Sequence, residues 1–173
     1  MKIVTIHTEQ IQTVFEELNA NFDGKIAFDF DEYKLEINNS FARGTITGAS
    51  FNDNISYVQF DMTFSTPVRI DFLNVISTPV YFAYCSKGSL KHSFGIDGEE
   101  RKFKTFQTAI LASNQNQDNI LFFEKDINTK LTLIIVGTQA EKSYLMPSLN
   151  QKVKETFLKI MSCRISFIWD LII

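Results

Sequence analysis

Histidine, cysteine and excess basic charge are all scarce in this chain, and each shortage removes a class of function. Only two histidines occur, His7 and His92. No second histidine shares the strand face of His92, where the neighbours are Leu90 and Phe94, so a histidine-built metal site is not expected. Acidic loops with calcium-binding spacing are missing too, and no metal or other cofactor is predicted. The two cysteines, Cys85 and Cys163, could form at most one bridge and lie in no CxxC arrangement. Cys85 reads as a small buried hydrophobe, with no neighbouring histidine or cation to activate it. A formal charge of -3, with acids and bases interspersed, supplies no basic face for nucleic acid. No apolar run approaches the roughly 20 residues of a membrane span. The N-terminus MKIVTIHTEQ has no secretory core or cleavage site, so a reducing, cytoplasmic setting is expected.

Catalytic signatures are equally thin. There is no G-x-S-x-G elbow and no glycine-rich phosphate loop, and Glu99-Glu100 follow a turn where paired acids usually face water. The residues alone therefore point to a protein that is not an enzyme.

What the chain has in abundance is apolar material in a period of two. Hydrophobic residues make up 45%, including 17 phenylalanines, enough for one core in 173 residues. Val58, Phe60, Met62 and Phe64 alternate with Tyr57, Gln59, Asp61 and Thr63, which makes a half-buried strand. Val68, Ile70 and Phe72 repeat the pattern. Further strands are read at Val80 to Cys85, Ser89 to Phe94, Glu99 to Phe103, Thr108 to Ala112, Asn119 to Glu124 and Leu131 to Val136. Turns at Lys87-Gly88, at Asp97-Gly98 and in the polar cluster Ser113 to Gln117 imply an antiparallel sandwich or barrel.

Earlier in the chain, a strand at Lys2 to His7 precedes a helix predicted to be capped by Thr8, with Glu9 in its first turn. Its apolar face is Ile11, Val14, Phe15 and Leu18. Phe22-Asp23-Gly24 then turns into strands with Ile26, Phe28 and Phe30 on one side and Lys25, Ala27 and Asp29 on the other. After Gly137 the pattern becomes helical. Ser148 to Gln151 forms a capping box, and Leu149, Val153, Phe157 and Ile160 define an amphipathic face. The tail Ile165 to Ile173 is apolar, and Phe167, Ile168 and Trp169 would favour self-association if exposed. No repeat or linker divides the chain, so residues 1-146 are read as the β-barrel and 147-173 as a helix and tail attached to it.

Within the barrel, alternation places His92 on the apolar face, where an imidazole needs a partner for its nitrogens. The bland reading is a core histidine bonded to a backbone carbonyl; the functional one is a ligand contact. Tyr81, Phe82, Tyr84 and Phe94 form an aromatic group around one hairpin, read at the Lys87-Gly88 turn, although such rings commonly just fill a core. The candidate ligand-binding residues are His92, Tyr84, Phe94 and Phe60. Lys91 and Ser93 fall on the other strand face and are expected to be exposed.

The run YFAYCSKGSLKHSFGIDGEERKFKTFQTAILASNQNQ, residues 81-117, resembles the sensor domain of AraC-type transcriptional regulators of the Bacteroidetes kind. The narrower part of the match is Leu90-Lys91-His92-Ser93-Phe94 with Phe106-Gln107-Thr108-Ala109, and a looser likeness runs from about Gly44 to Phe157. The resemblance implies a mainly β, cupin-like double-stranded β-helix, or jelly-roll barrel, with an N-terminal and a C-terminal helix. It also implies a small-molecule effector in the barrel and a homodimer formed partly through the following helix, here Leu149, Val153, Phe157 and Ile160. In the family, DNA is bound by a C-terminal pair of helix-turn-helix motifs. No residue present here matches them, so a fragment or a frame-shifted regulator is expected, with no direct DNA contact and no membrane partner. A stand-alone cupin enzyme, such as an isomerase or dioxygenase, and a purely structural interaction module are the alternatives.

Overall fold

The computed structural model describes residues 1-8, 10-51, 55-73, 79-112 and 117-137. The helix and tail predicted beyond Gly137, with Leu149, Val153, Phe157 and Ile160, lie outside the described residues.

Among the described residues, twelve strands and one helix follow in the order β1 (Lys2–Ile6), α1 (Ile11–Phe22), β2 (Lys25–Asp29), β3 (Glu32–Asn38), β4 (Ala42–Phe51), β5 (Ile55–Phe64), β6 (Val68–Phe72), β7 (Val80–Lys87), β8 (Leu90–Phe94), β9 (Arg101–Phe103), β10 (Gln107–Leu111), β11 (Asn119–Phe123) and β12 (Thr129–Val136). They form a five-stranded sheet, β1-β6-β11-β8-β9, and a seven-stranded sheet, β10-β7-β12-β5-β4-β3-β2.

The last eight strands are nested. β8 pairs antiparallel with β9, β7 with β10, β6 with β11 and β5 with β12. This is one long two-stranded ribbon, folded at the β8–β9 loop. Rolling it brings β12 beside β7 and β11 beside β8. Those contacts convert a ribbon into a two-sheet jelly-roll barrel. The fold class expected from the sequence is thus the one observed.

Period-two patterning places the core. Val58, Phe60, Met62 and Phe64 of β5 are all buried between the sheets, as are Val68 and Ile70 of β6. Phe123 bridges the walls, its ring centroid 5.5 Å from both Phe60 and Phe64. Helix α1 adds Val14, Phe15, Leu18 and Phe22 to the same core.

Three local expectations are corrected. The helix begins at Ile11, and its cap is Gln10 with no side-chain cap bond. The Thr8 hydroxyl instead accepts the Gln10 N–H one step upstream. Glu9 lies outside the described residues. The Lys87-Gly88 turn does not close a hairpin, because β7 and β8 belong to different sheets. It is a corner where the chain changes walls, and a side chain at Gly88 (φ 73) would strike the Asn128 carbonyl. Finally, Phe30 does not continue the face of Ile26 and Phe28. It sits at the β2–β3 turn with φ 48 and is 95% exposed.

No helix among the described residues is long and apolar enough to cross a membrane.

Candidate functional site

The inner face of the five-stranded sheet is built in cross-strand rows. Phe72, Asn119 and Phe94 stand opposite one another on β6, β11 and β8. The next row is Ile70, Leu121, His92 and Arg101, and the third is Val68, Phe123, Leu90 and Phe103. Two buried polar side chains, His92 and Asn119, are therefore diagonal neighbours within reach of each other across the ladder, among apolar residues except for the exposed Arg101 at the row's end.

Both are buried, His92 at 1% exposure and Asn119 at 0%. His92 packs edge-on against the Phe94 ring at 4.7 Å between centroids and against Phe103 at 6.4 Å. Its Nε2 has no hydrogen-bond partner, and neither does the amide nitrogen or oxygen of Asn119. The Asn119 amide lies near enough to His92 for a hydrogen-bonding interaction that favours the imidazolium, yet no hydrogen bond of normal geometry joins them. Burial is the stronger influence and pushes the imidazole pKa down to about 4. The Arg101 charge acts in the same direction, and Asn119 opposes both. At neutral pH the site thus offers a neutral imidazole and a primary amide, able to donate and accept hydrogen bonds but carrying no charge. Each unpartnered buried atom costs about 1–3 kcal/mol unless something occupies it.

The sequence-predicted candidates divide. His92 and Phe94 are brought into contact. Phe60 faces the interior, but its ring packs on Phe123, which stands opposite Leu90 rather than His92. Tyr84 is corrected. It lies on the outer face of β7 opposite Thr108 and Thr132, and is 40% exposed. The inward residues of that strand are Tyr81, Ala83 and Cys85, one position out of phase with Tyr84. Ser93, expected on an exposed face, is buried and donates its hydroxyl to the Gly95 carbonyl. Cys85 is fully buried, its thiol directed at the Lys87 carbonyl, and burial raises its pKa.

Asn119 is the residue that sequence reasoning missed. Its phase with Leu121 and Phe123 was the available signal, but an asparagine at a strand start reads as a turn former. Among the described residues no group of three or more His, Cys, Asp or Glu side chains is placed to hold a metal ion. A surface cleft of about 250 Å³ lined by Asn39, Arg43, Thr63, Ser65 and Asp126 shares no residue with the His92–Asn119 site.

No protein-family model matches the chain, and no curated protein matches it in sequence. Among solved structures it is similar to a mutant of Bacillus subtilis oxalate decarboxylase, at 10% identity and a TM-score of 0.34, over 81% of this chain and 35% of that one. A second mutant of the same decarboxylase gives 11% identity and a TM-score of 0.33, with the same coverage. The polyketide cyclase RemF from Streptomyces resistomycificus gives 10% identity and a TM-score of 0.31, over 77% of this chain and 88% of that one. The chain spans about a third of the length of the decarboxylase chains it matches. With likeness at that level, the fold rests on the strand order itself.

Proposed function

We propose that this jelly roll is the effector-sensing part of an AraC-type transcriptional regulator, holding a small, uncharged, hydrogen-bonding molecule against His92 and Asn119. The observation that carries the binding role is the trio of unpartnered polar atoms, His92 Nε2 and both amide atoms of Asn119, inside an apolar wall. The regulator context comes from the likeness of residues 81-117. Because His92 is neutral when empty, an alcohol, amide or sugar suits the site better than a carboxylate or phosphate. In this reading the barrel works as a homodimer, and the predicted helix bearing Leu149, Val153, Phe157 and Ile160 passes the response onward. Such control requires that the ligand bind two conformations unequally. DNA contact is assigned to no residue of this chain.

The rival reading is a barrel filled by its own side chains. The full burial of Phe60, Phe64, Phe103 and Phe123 supports it, with internal water satisfying His92 and Asn119.

Thermal melting with a panel of neutral monosaccharides, polyols and small amides separates the two. An effector at a hundred times its Kd should raise the wild-type Tm by roughly 5 °C or more. His92→Phe and Asn119→Leu should abolish that rise while the empty proteins melt no lower than wild type, because an unpaired polar group has been removed. If no compound shifts the wild type and both variants are markedly destabilised, the polar pair is structural and the sensing proposal fails.

A further inference from the structure

The seven-stranded sheet ends at β2, which among the described residues pairs only with β3. All five residues of β2, Lys25-Ile26-Ala27-Phe28-Asp29, are exposed, including Ile26 at 37% and Phe28 at 57%. Long apolar side chains on an open edge strand make a template for another strand unless the edge is blunted. No proline or bulge blunts it, and its two charges, Lys25 and Asp29, sit only at its ends.

The hydrogen-bonding polarity of this edge follows from its turn. Phe30 and Asp31 both have positive φ, and Asp29 is registered with Glu32, which is the two-residue hairpin favoured by sheet twist. Its closing pair exchanges both backbone bonds, so Asp29, Ala27 and Lys25 turn their amides toward β3. Ile26 and Phe28 turn theirs outward.

The free edge is also self-complementary. Antiparallel pairing with an identical strand about Ala27 sets Ile26 opposite Phe28 and Lys25 opposite Asp29, in both directions. Within the chain neither Lys25 nor Asp29 forms a close ion pair among the described residues: Lys25 stands opposite Glu36, whose pKa its charge helps to lower after Lys34, whereas Asp29 stands directly opposite another acid, Glu32. Like charges so placed repel. A lysine arriving from outside would relieve that repulsion, and the register puts the bulky Phe30 opposite the side-chain-free Gly24.

We propose that β2 is the contact between two copies of this chain, paired antiparallel about Ala27 so that the sheets join across a two-fold axis. The pairs Ile26–Phe28 supply backbone bonds and an apolar strip, and the pairs Lys25–Asp29 fix the register. An isologous contact of this kind closes on itself.

Charge exchange tests it on the full chain by sedimentation equilibrium over a concentration series. Wild type should dimerise reversibly. Lys25→Glu and Asp29→Lys each replace attraction with repulsion at both ends and should raise the dimer Kd by about tenfold. A mixture of the two single variants restores opposite charges at both ends, and so does the double variant K25E/D29K; both should regain the wild-type affinity. All four positions altered or paired are exposed, and circular dichroism should show every protein folded. The proposal is overturned if wild type is monomeric throughout, if the single variants dimerise like wild type, or if the mixture fails to recover.

Discussion

At the scale of residues, the buried imidazole of His92 makes a defined contribution to how stability changes in acid. The neutral form of His92 is the one the fold accepts, because burial has moved its pKa from 6.5 to about 4. The unfolded chain takes up a proton near 6.5 and the folded one only near 4, so the stability associated with His92 is intact above pH 6.5. It is lost as pH falls toward 4, by about 3 kcal/mol for the full shift. Urea denaturation at pH 7 and pH 4.5 should show wild type weakening more than His92→Phe. Equal slopes with pH in the two proteins would mean that the imidazole is protonated in the fold. Sequence could place His92 and Phe94 on the inner face, since both lie in phase with Leu90. It could not show that Asn119 stands diagonally from His92, because that depends on how β11 registers with β8, two strands far apart in the chain. Tyr84 failed for a related reason: in Val80 to Cys85 nearly every residue is apolar, and a strand without clear alternation does not declare its phase.

At the scale of elements, the position of α1 depends on Gly48. A β-carbon there would lie 2.9 Å from the Phe15 ring, 3.2 Å from Ile11 and 2.7 Å from the Tyr57 carbonyl. The bare backbone of β4 therefore lets the helix settle onto the sheet, where Phe15 also meets Tyr33 at 5.5 Å between ring centroids. Gly48→Ala should cost about 1–3 kcal/mol, as overpacking against an unyielding carbonyl does. Chemical denaturation gives that number, and a change under about 0.5 kcal/mol would show that α1 is free to shift. Strands with strict alternation, such as β5 and β6, were legible from sequence almost to their ends. The corner at Gly88 was not, because a glycine turn has the same local requirement whether the chain doubles back in one sheet or crosses to the other.

For the whole molecule, nesting sets the order of assembly. β8 and β9 meet across a short loop, whereas β5 and β12 must meet with the rest of the barrel between them. Loop closure makes such remote pairings slow, so refolding is expected on a scale of about milliseconds to seconds. Stopped-flow circular dichroism measures this directly, and completion within tens of microseconds would contradict a rate limited by the outer rung.

The same wrapping divides the interior between two suppliers. Every unsatisfied donor and acceptor described in it comes from one wall, on β8 and β11, while Phe60 and Phe64 project from the other, on β5. Phe94 and Phe103 nonetheless stand on the polar wall and touch the imidazole, so exchanging either ring would disturb His92 directly, whereas trimming Phe60 or Phe64 would loosen the opposite wall and leave the polar pair in place.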